Sequence, residues 1–337
     1  MTSKKEINSK LFSLSSQDKN KLINEKIIFI DFIPKNNLLL LLSSNNIFYI
    51  CEIINDSIAI KKTFRNVIDS KIEINKSYFC NENPNIILLL SNNENIYEWT
   101  VDREYISHIY YNVLGDSYEF KMNCQKNSNN ENEIQNFCVY KDDTINVWNT
   151  MKYNKKNVLH VKNVNCFSYD STGLLLYYIE KLNQKNSIRV IKFIDEYECK
   201  EIFYKNLTFL DSKTNIDYIN SFDVNIIISD TKLGKLFVLK NYPIKEKEFE
   251  ISLNNNNNYI YLPFIGQNPL YQFGLLCLNI NNNSQALINL CFKSKTKNIE
   301  NIDLIISDLI YFKENNQGKG LLLIFNDIKK ELAQYEI

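Results

Sequence analysis

Thr144-Ile145-Asn146-Val147-Trp148-Asn149 is the stretch from which this chain can be read, because its shape recurs upstream. Asn46-Ile47-Phe48-Tyr49-Ile50 and Asn95-Ile96-Tyr97-Glu98-Trp99 repeat it. Ile47, Ile96 and Ile145 lie 49 residues apart each time, and so do Ile50, Trp99 and Trp148. A fixed period of roughly 20 to 50 residues marks a repeat architecture, in which one unit stacks on copies of itself to bury a face it cannot bury alone.

Around these three segments the chain alternates short apolar runs with clusters of Asn, Asp, Ser and Lys, the pattern of strands and turns. The first unit reads as Ile27 to Ile33, Leu38 to Leu42, Ile47 to Ile53 and Ile58 to Phe64, which is four strands in about 40 residues. The second reads as Ile72 to Phe79, Ile86 to Leu90, Ile96 to Val101 and Tyr105 to Tyr111. With seven glycines in the whole chain, asparagine must supply most turn positions that need a left-handed or side-chain-capped backbone. The third unit is interrupted from Gln125 to Gln135 by an asparagine-rich run too polar to order itself by burial.

Later units align by spacing. Ile188 and Ile191, Leu236 and Leu239, Leu287 and Leu290, then Leu332 and Tyr335 continue the series, so that Ile50, Trp99, Trp148, Ile191, Leu239, Leu290 and Tyr335 mark one core position in seven units. The expected spans are 26–66, 70–112, 117–162, 163–206, 207–252, 254–300 and 301–337, within one domain covering 1–337. The last unit holds three strands, Leu309 to Phe312, Leu321 to Phe325 and Glu331 to Ile337. Leu11 to Leu14, after a flexible tail at 1–10, is expected to supply the fourth and close the ring, since closure removes exposed sheet edges. Ser15 to Glu25 reads as a polar connector.

Asn165-Cys166-Phe167-Ser168-Tyr169-Asp170-Ser171-Thr172-Gly173-Leu174-Leu175-Leu176 resembles the first-to-second strand turn of WD40 repeats, with Thr172 as an extra residue before Gly173. Phe32 to Leu38 and Phe79 to Ile86 resemble it more weakly. Trp148-Asn149 and Trp99-Thr100 resemble the Trp-Asp that ends the third strand in that family, with the acid lost. No Gly-His dipeptide exists in the chain, so the hydrogen-bonded tetrad of the family cannot be assembled. The resemblance implies an all-β, seven-bladed WD40-like propeller, and a protein that mediates contacts.

Composition limits the function classes. Lys+Arg and Asp+Glu both total 39, and this zero balance disfavours a protein built to grip duplex nucleic acid. Eight scattered cysteines with no Cys-x-x-Cys spacing read as reduced core residues of an intracellular protein, nuclear or cytoplasmic. No apolar run approaches the ~18 residues of a membrane span, so no membrane insertion is expected.

Catalytic signatures are missing. The two histidines, His108 and His160, sit in or beside apparent strands, where structural or solvent-facing roles are expected. There is no Gly-x-Ser-x-Gly and no Gly-rich phosphate loop, and Asp142-Asp143 lies on a polar turn. No cofactor, metal site or enzyme activity is expected. Trp99 and Trp148, at one repeat position, are read as packing between units. Two basic groups, Lys152, Lys155 and Lys156 around Tyr153 and Lys293, Lys295 and Lys297 after Phe292, are the candidate contacts for RNA or an acidic partner. The expected function is a non-catalytic scaffold for other proteins. An accessory subunit of an RNA-processing or tRNA-modifying complex is the less favoured alternative.

Overall fold

The computed structural model describes residues 9–33, 36–55, 57–80, 83–114, 118–125, 134–149, 154–169, 175–193, 199–222, 225–240, 246–252, 259–265, 273–280, 286–292, 295–302, 309–314 and 320–336. It gathers into two compact units, one of 1–116 with 304–337, the other of 117–303.

In the first unit an eight-stranded sheet has the order β2-β3-β4-β5-β1-β28-β27-β26, and a four-stranded sheet the order β6-β7-β8-β9. Their ranges are β1 Ser9–Leu14, β2 Ile27–Ile33, β3 Leu38–Ser43, β4 Phe48–Ile54, β5 Ser57–Phe64, β6 Ile74–Cys80, β7 Asn83–Ser91, β8 Ile96–Thr100, β9 Tyr105–Tyr110, β26 Leu309–Glu314, β27 Gly320–Asn326 and β28 Glu331–Glu336. The second unit has four sheets of four sequential strands. These are β10 Glu119–Gln125 to β13 Asn154–His160, β14 Val164–Tyr169 to β17 Cys199–Asn206, β18 Tyr218–Phe222 to β21 Glu246–Ser252, and β22 Tyr259–Ile265 to β25 Lys295–Ile302. Between the ends lie β11 Ile134–Lys141, β12 Thr144–Asn149, β15 Leu175–Leu182, β16 Lys185–Phe193, β19 Asn225–Asp230, β20 Lys235–Lys240, β23 Phe273–Ile280 and β24 Ala286–Phe292. Within each unit the first strands of successive sheets lie together: β2 beside β6 and β26, and β14 beside β10 and β18.

Second strands are buried on both faces, which explains their unbroken apolar runs. On β3, Leu39 and Leu41 enter the core shared with β27 and β28, while Leu40 and Leu42 enter the core shared with the β6–β9 sheet. On β15, Tyr177 and Ile179 face the β18–β21 sheet while Leu176 and Tyr178 face the β10–β13 sheet. The turns use asparagine as the glycine shortage demands. Asn37, Asn46, Asn55, Asn66, Asn112, Asn163 and Asn183 all hold φ between 47 and 58°, the left-handed region that asparagine tolerates because its side chain bonds locally. Asp142 and Asp143, at φ 51 and 57°, form the tight β11–β12 turn and are exposed.

The amino-terminal segment is more built than its sequence suggests. β1 pairs antiparallel with β28, Leu11 opposite Ala333 and Ser13 opposite Glu331. It also pairs in parallel with β5 through Ser13–Ser57 and Leu14–Ile58. The stretch expected to be a connector contains the helix α1, Ser16–Leu22. Ser15 caps it by accepting from the Asp18 amide at 3.1 Å, and Leu22 is fully buried in the same cluster as Phe12 and Leu14. The cap spacing Ser15-x-x-Asp18 is the signal that marks this start. The Gln125–Gln135 interruption lies outside the described residues from 126 to 133, and β11 has begun by Ile134.

Candidate functional site

The recurring third strand carries a recurring defect. Its pairing with the fourth strand shifts between Glu98 and Trp99, Val147 and Trp148, Val190 and Ile191, and Val238 and Leu239. In each case the outer strand holds one extra residue, Ser107, Lys156, Ile202 or Glu248, which adds local twist. In the first repeat the shift falls one residue later, between Ile50 and Cys51.

That single residue matters because side chains alternate faces along a strand. Cys51 pairs with Leu39, as Trp99 pairs with Ile87, Ile191 with Leu176 and Leu239 with Ile226. Cys51, fully buried, faces the core shared with β27 and β28, whereas Ile50, also buried, faces the next sheet in the cluster that contains Trp99. The structural counterpart of Trp99 in the first repeat is thus Cys51, 48 residues upstream, and Ile50 lies on the opposite face.

Trp99 is fully buried, its ring 5.3 Å from Phe48 and 4.8 Å from Phe64. Its indole N–H meets no acceptor among the described residues, so it is placed for packing. Trp148 stacks on Phe137 at 6.2 Å and is half-buried. Ile191 and Leu239 are buried. Leu290 lies on β24 and Tyr335 on β28, in the corresponding backbone column, opposite Leu276 and Leu322.

Three polar clusters were not singled out in the sequence. Glu98, 3% exposed, accepts from the Ser107 hydroxyl at 2.7 Å and the Tyr110 hydroxyl at 3.1 Å, and stands opposite His108, whose ring lies 4.6 Å from Tyr110. Its signal was a lone acid between Tyr97 and Trp99. Arg189 donates to Glu180 at 2.8 Å and Glu201 at 2.6 Å and covers the Tyr204 ring at 4.4 Å. Burial works against the Arg189 charge, but the two carboxylates outweigh it and hold the guanidinium more basic than usual.

Asp31, fully buried on β2, forms the third cluster: it accepts from its neighbour Phe32 and, across the sheets, from the Phe79 amide at 2.8 Å. Asn46 adds a second clasp between the same sheets, donating to the Ile72 carbonyl at 2.6 Å and accepting from the Ile74 amide at 3.1 Å. Ser168 and Asn220, 3.3 Å apart, link β14 to β18 in the other unit. Such side-chain bonds join neighbouring sheets within each unit.

Asp217 is a half-buried acid. Burial raises its pKa against two bonds from Thr231, at 2.6 and 2.9 Å. Its neighbour Asp230 accepts from the Asn215 amide at 2.7 Å.

In these clusters each polar group is held by neighbours, as most buried polar groups are. Among the described residues no group of three or more His, Cys, Asp or Glu could hold a metal ion. His160 is exposed at the end of β13 in the second unit, and His108 lies on β9 in the first. Cys51 is a fully buried thiol, and burial pushes its pKa up, out of thiolate chemistry. Lys155 and Lys156 lie on β13, and Lys295 and Lys297 on β25, which are outer strands of separate sheets. Lys152 and Lys293 lie outside the described residues. No helix among the described residues is long and apolar enough to cross a membrane.

No family model and no curated protein sequence matches the chain. Among solved structures, a chain in the crystal structure of the mitotic checkpoint complex is similar with a TM-score of 0.58 and 8% identity, over 93% of this chain and 90% of that one. Raptor from Chaetomium thermophilum is similar with a TM-score of 0.58 and 9% identity, over 97% of this chain and 29% of that one, so the chain spans under a third of Raptor. At such identities the likeness is one of fold, and it puts this mostly β chain among propeller-like folds.

Proposed function

We propose that this chain is a seven-bladed WD40-like propeller that serves as a non-catalytic scaffold, holding other proteins together in an assembly. The observation that carries the fold is the strand arithmetic. Six antiparallel groups of four strands, β2–β5 through β22–β25, are followed by a group of three, β26–β28, to which β1 adds the fourth. A seventh blade completed from both ends of the chain is the closure that removes sheet edges.

The scaffold reading is supported by what the polar groups do. The acids Asp31 and Glu98 and the base Arg189 are absorbed by bonds within and between sheets, which leaves side-chain chemistry to build surfaces. The similar chain from the mitotic checkpoint complex belongs to a protein assembly by its own description, and this inference by fold is analogy. Native purification of the tagged chain is the test. Other polypeptides in fixed ratio to the 39.8 kDa chain are expected. Recovery of this chain alone, or turnover that tracks it through a broad hydrolase screen, overturns the reading.

A further inference from the structure

Five four-stranded sheets end on an outer strand: β9, β13, β17, β21 and β25. A bare sheet edge is a template for another strand, and proteins blunt it with bulges and charged side chains. All five outer strands have a register shift against the third strand. Four of them also carry charge: Lys155 and Lys156 on β13, Lys200 and Glu201 on β17, four charged residues on β21, and Lys295 and Lys297 on β25. β9, Tyr105-Ile106-Ser107-His108-Ile109-Tyr110, has no Lys, Arg, Asp, Glu or Pro. Tyr105 at its start and Tyr111 just past its end are exposed, at 45% and 67%. The extra residue of its bulge, Ser107, turns its hydroxyl back onto Glu98 at 2.7 Å.

β9 is also nearly the same read in either direction. An antiparallel partner centred between Ser107 and His108 would set Tyr105 opposite a second Tyr110 and Ile106 opposite a second Ile109. Glu104 would fall opposite Tyr111 and Arg103 opposite Asn112, so no like charges meet. The same self-pairing would oppose Lys200 to Lys205 on β17 and Glu248 to Glu250 on β21. A two-fold interface must be self-complementary, each residue meeting its own symmetry mate's surface, and among these strands β9 combines that property with an uncharged edge.

We propose that β9 is the edge through which two copies of this chain pair, antiparallel about a two-fold axis, continuing the β6-β7-β8-β9 sheet from one molecule into the next. This does not depend on the scaffold reading. The test is sedimentation of the full chain from about 1 to about 100 µM, the range in which weak strand pairing is read. A reversible dimer is expected. Tyr111→Glu, which opposes Glu104 of the second copy, should weaken it roughly tenfold, while Tyr111→Lys should not. Glu104→Lys added to Tyr111→Glu should restore it. Tyr204→Glu on β17, 46% exposed in the wild type, should leave it unchanged. All four changes are at exposed positions, and thermal melts check that each variant is folded. A monomer across the range, a dimer indifferent to the sign of charge at 111, or one equally lost on Tyr204→Glu overturns the proposal.

Discussion

β5 and β9 hold the same place in consecutive sheets, each the outer strand beyond a register shift, yet β5 is covered by β1 while β9 ends its sheet. Their interiors differ in the same sense. Where the second repeat places Trp99, the first places Cys51, a far smaller side chain. The cluster around Cys51 is filled instead by Phe12, Leu14 and Leu22 from the amino terminus and by Leu323, Phe325 and Leu332 from the carboxy terminus. One backbone plan therefore meets one packing requirement in two ways, with a single indole or with several residues brought from the chain ends. Close-packed interiors allow such exchange provided the volume is filled.

The sharpest way to break the comparison is to remove the borrowed segment. Deleting residues 1–22 strips three large buried apolar side chains from the first core, at about 1.5–3 kcal/mol each, and uncovers β5 and β28. A loss of stability of about 5 kcal/mol or more is expected by denaturant unfolding. An unchanged midpoint would show that β1 and α1 are not structural. Trp99→Ala should follow, costing about 3–5 kcal/mol, since among the described residues no terminal segment packs into the second core.

Asp31→Ala ranks third. It removes the acceptor for the Phe79 amide in a fully buried setting and should cost about 1–3 kcal/mol, with Asp31→Asn recovering part of that loss. Equal effects of Ala and Asn would argue that the bond between the sheets is unimportant.

A pH effect tests the helix that secures β1. Burial alone would raise the pKa of Asp18, but bonds from Lys21, the Ile60 amide and Ser15 together hold it below the usual 3.8. A carboxylate whose pKa is depressed on folding contributes stability that is fully present above its unfolded value and is lost as pH falls through the folded one. Wild-type stability should therefore decline below about pH 4 more steeply than that of Asp18→Asn. Parallel pH curves for the two would remove Asp18 from the account. The smallest effect has the opposite sign: the buried Tyr49 hydroxyl finds no partner among the described residues, and burial pushes its pKa up to about 12. Tyr49→Phe should stabilise by about 1 kcal/mol, and a destabilised variant would indicate a bond the fold conceals.

Much of this was legible beforehand because strand periodicity is written locally. The runs 27–33, 38–42 and 105–111 were expected as strands, and β2, β3 and β9 follow them closely. The asparagine turns were legible for the same reason. Alignment of the first repeat went one residue astray because Ile47 and Ile50 match Ile96 and Trp99 in character, while the turn before them is set by the Ser43 amide bonding to the Ile47 carbonyl. That bond has its counterpart in Ser91 and Asn95, 48 residues on. Helix α1 reads as a connector because six of its seven residues are polar and a single leucine, Leu22, carries its buried apolar contact.

By itself the sequence determined the strand-rich repeat, its period near 48 residues, the asparagine-built turns, and the use of an amino-terminal strand to complete the last group. Those are properties of residues close along the chain, where alternation and turn chemistry act. Only the tertiary structure decided which face each marker residue takes, that β1 also pairs with β5, that Asp31 and Asn46 clasp neighbouring sheets, and that β9, among the described residues, ends its sheet while β5 is covered. These depend on register and on contacts between residues up to about 300 positions apart, and a one-residue slip in either reverses the side on which a side chain falls.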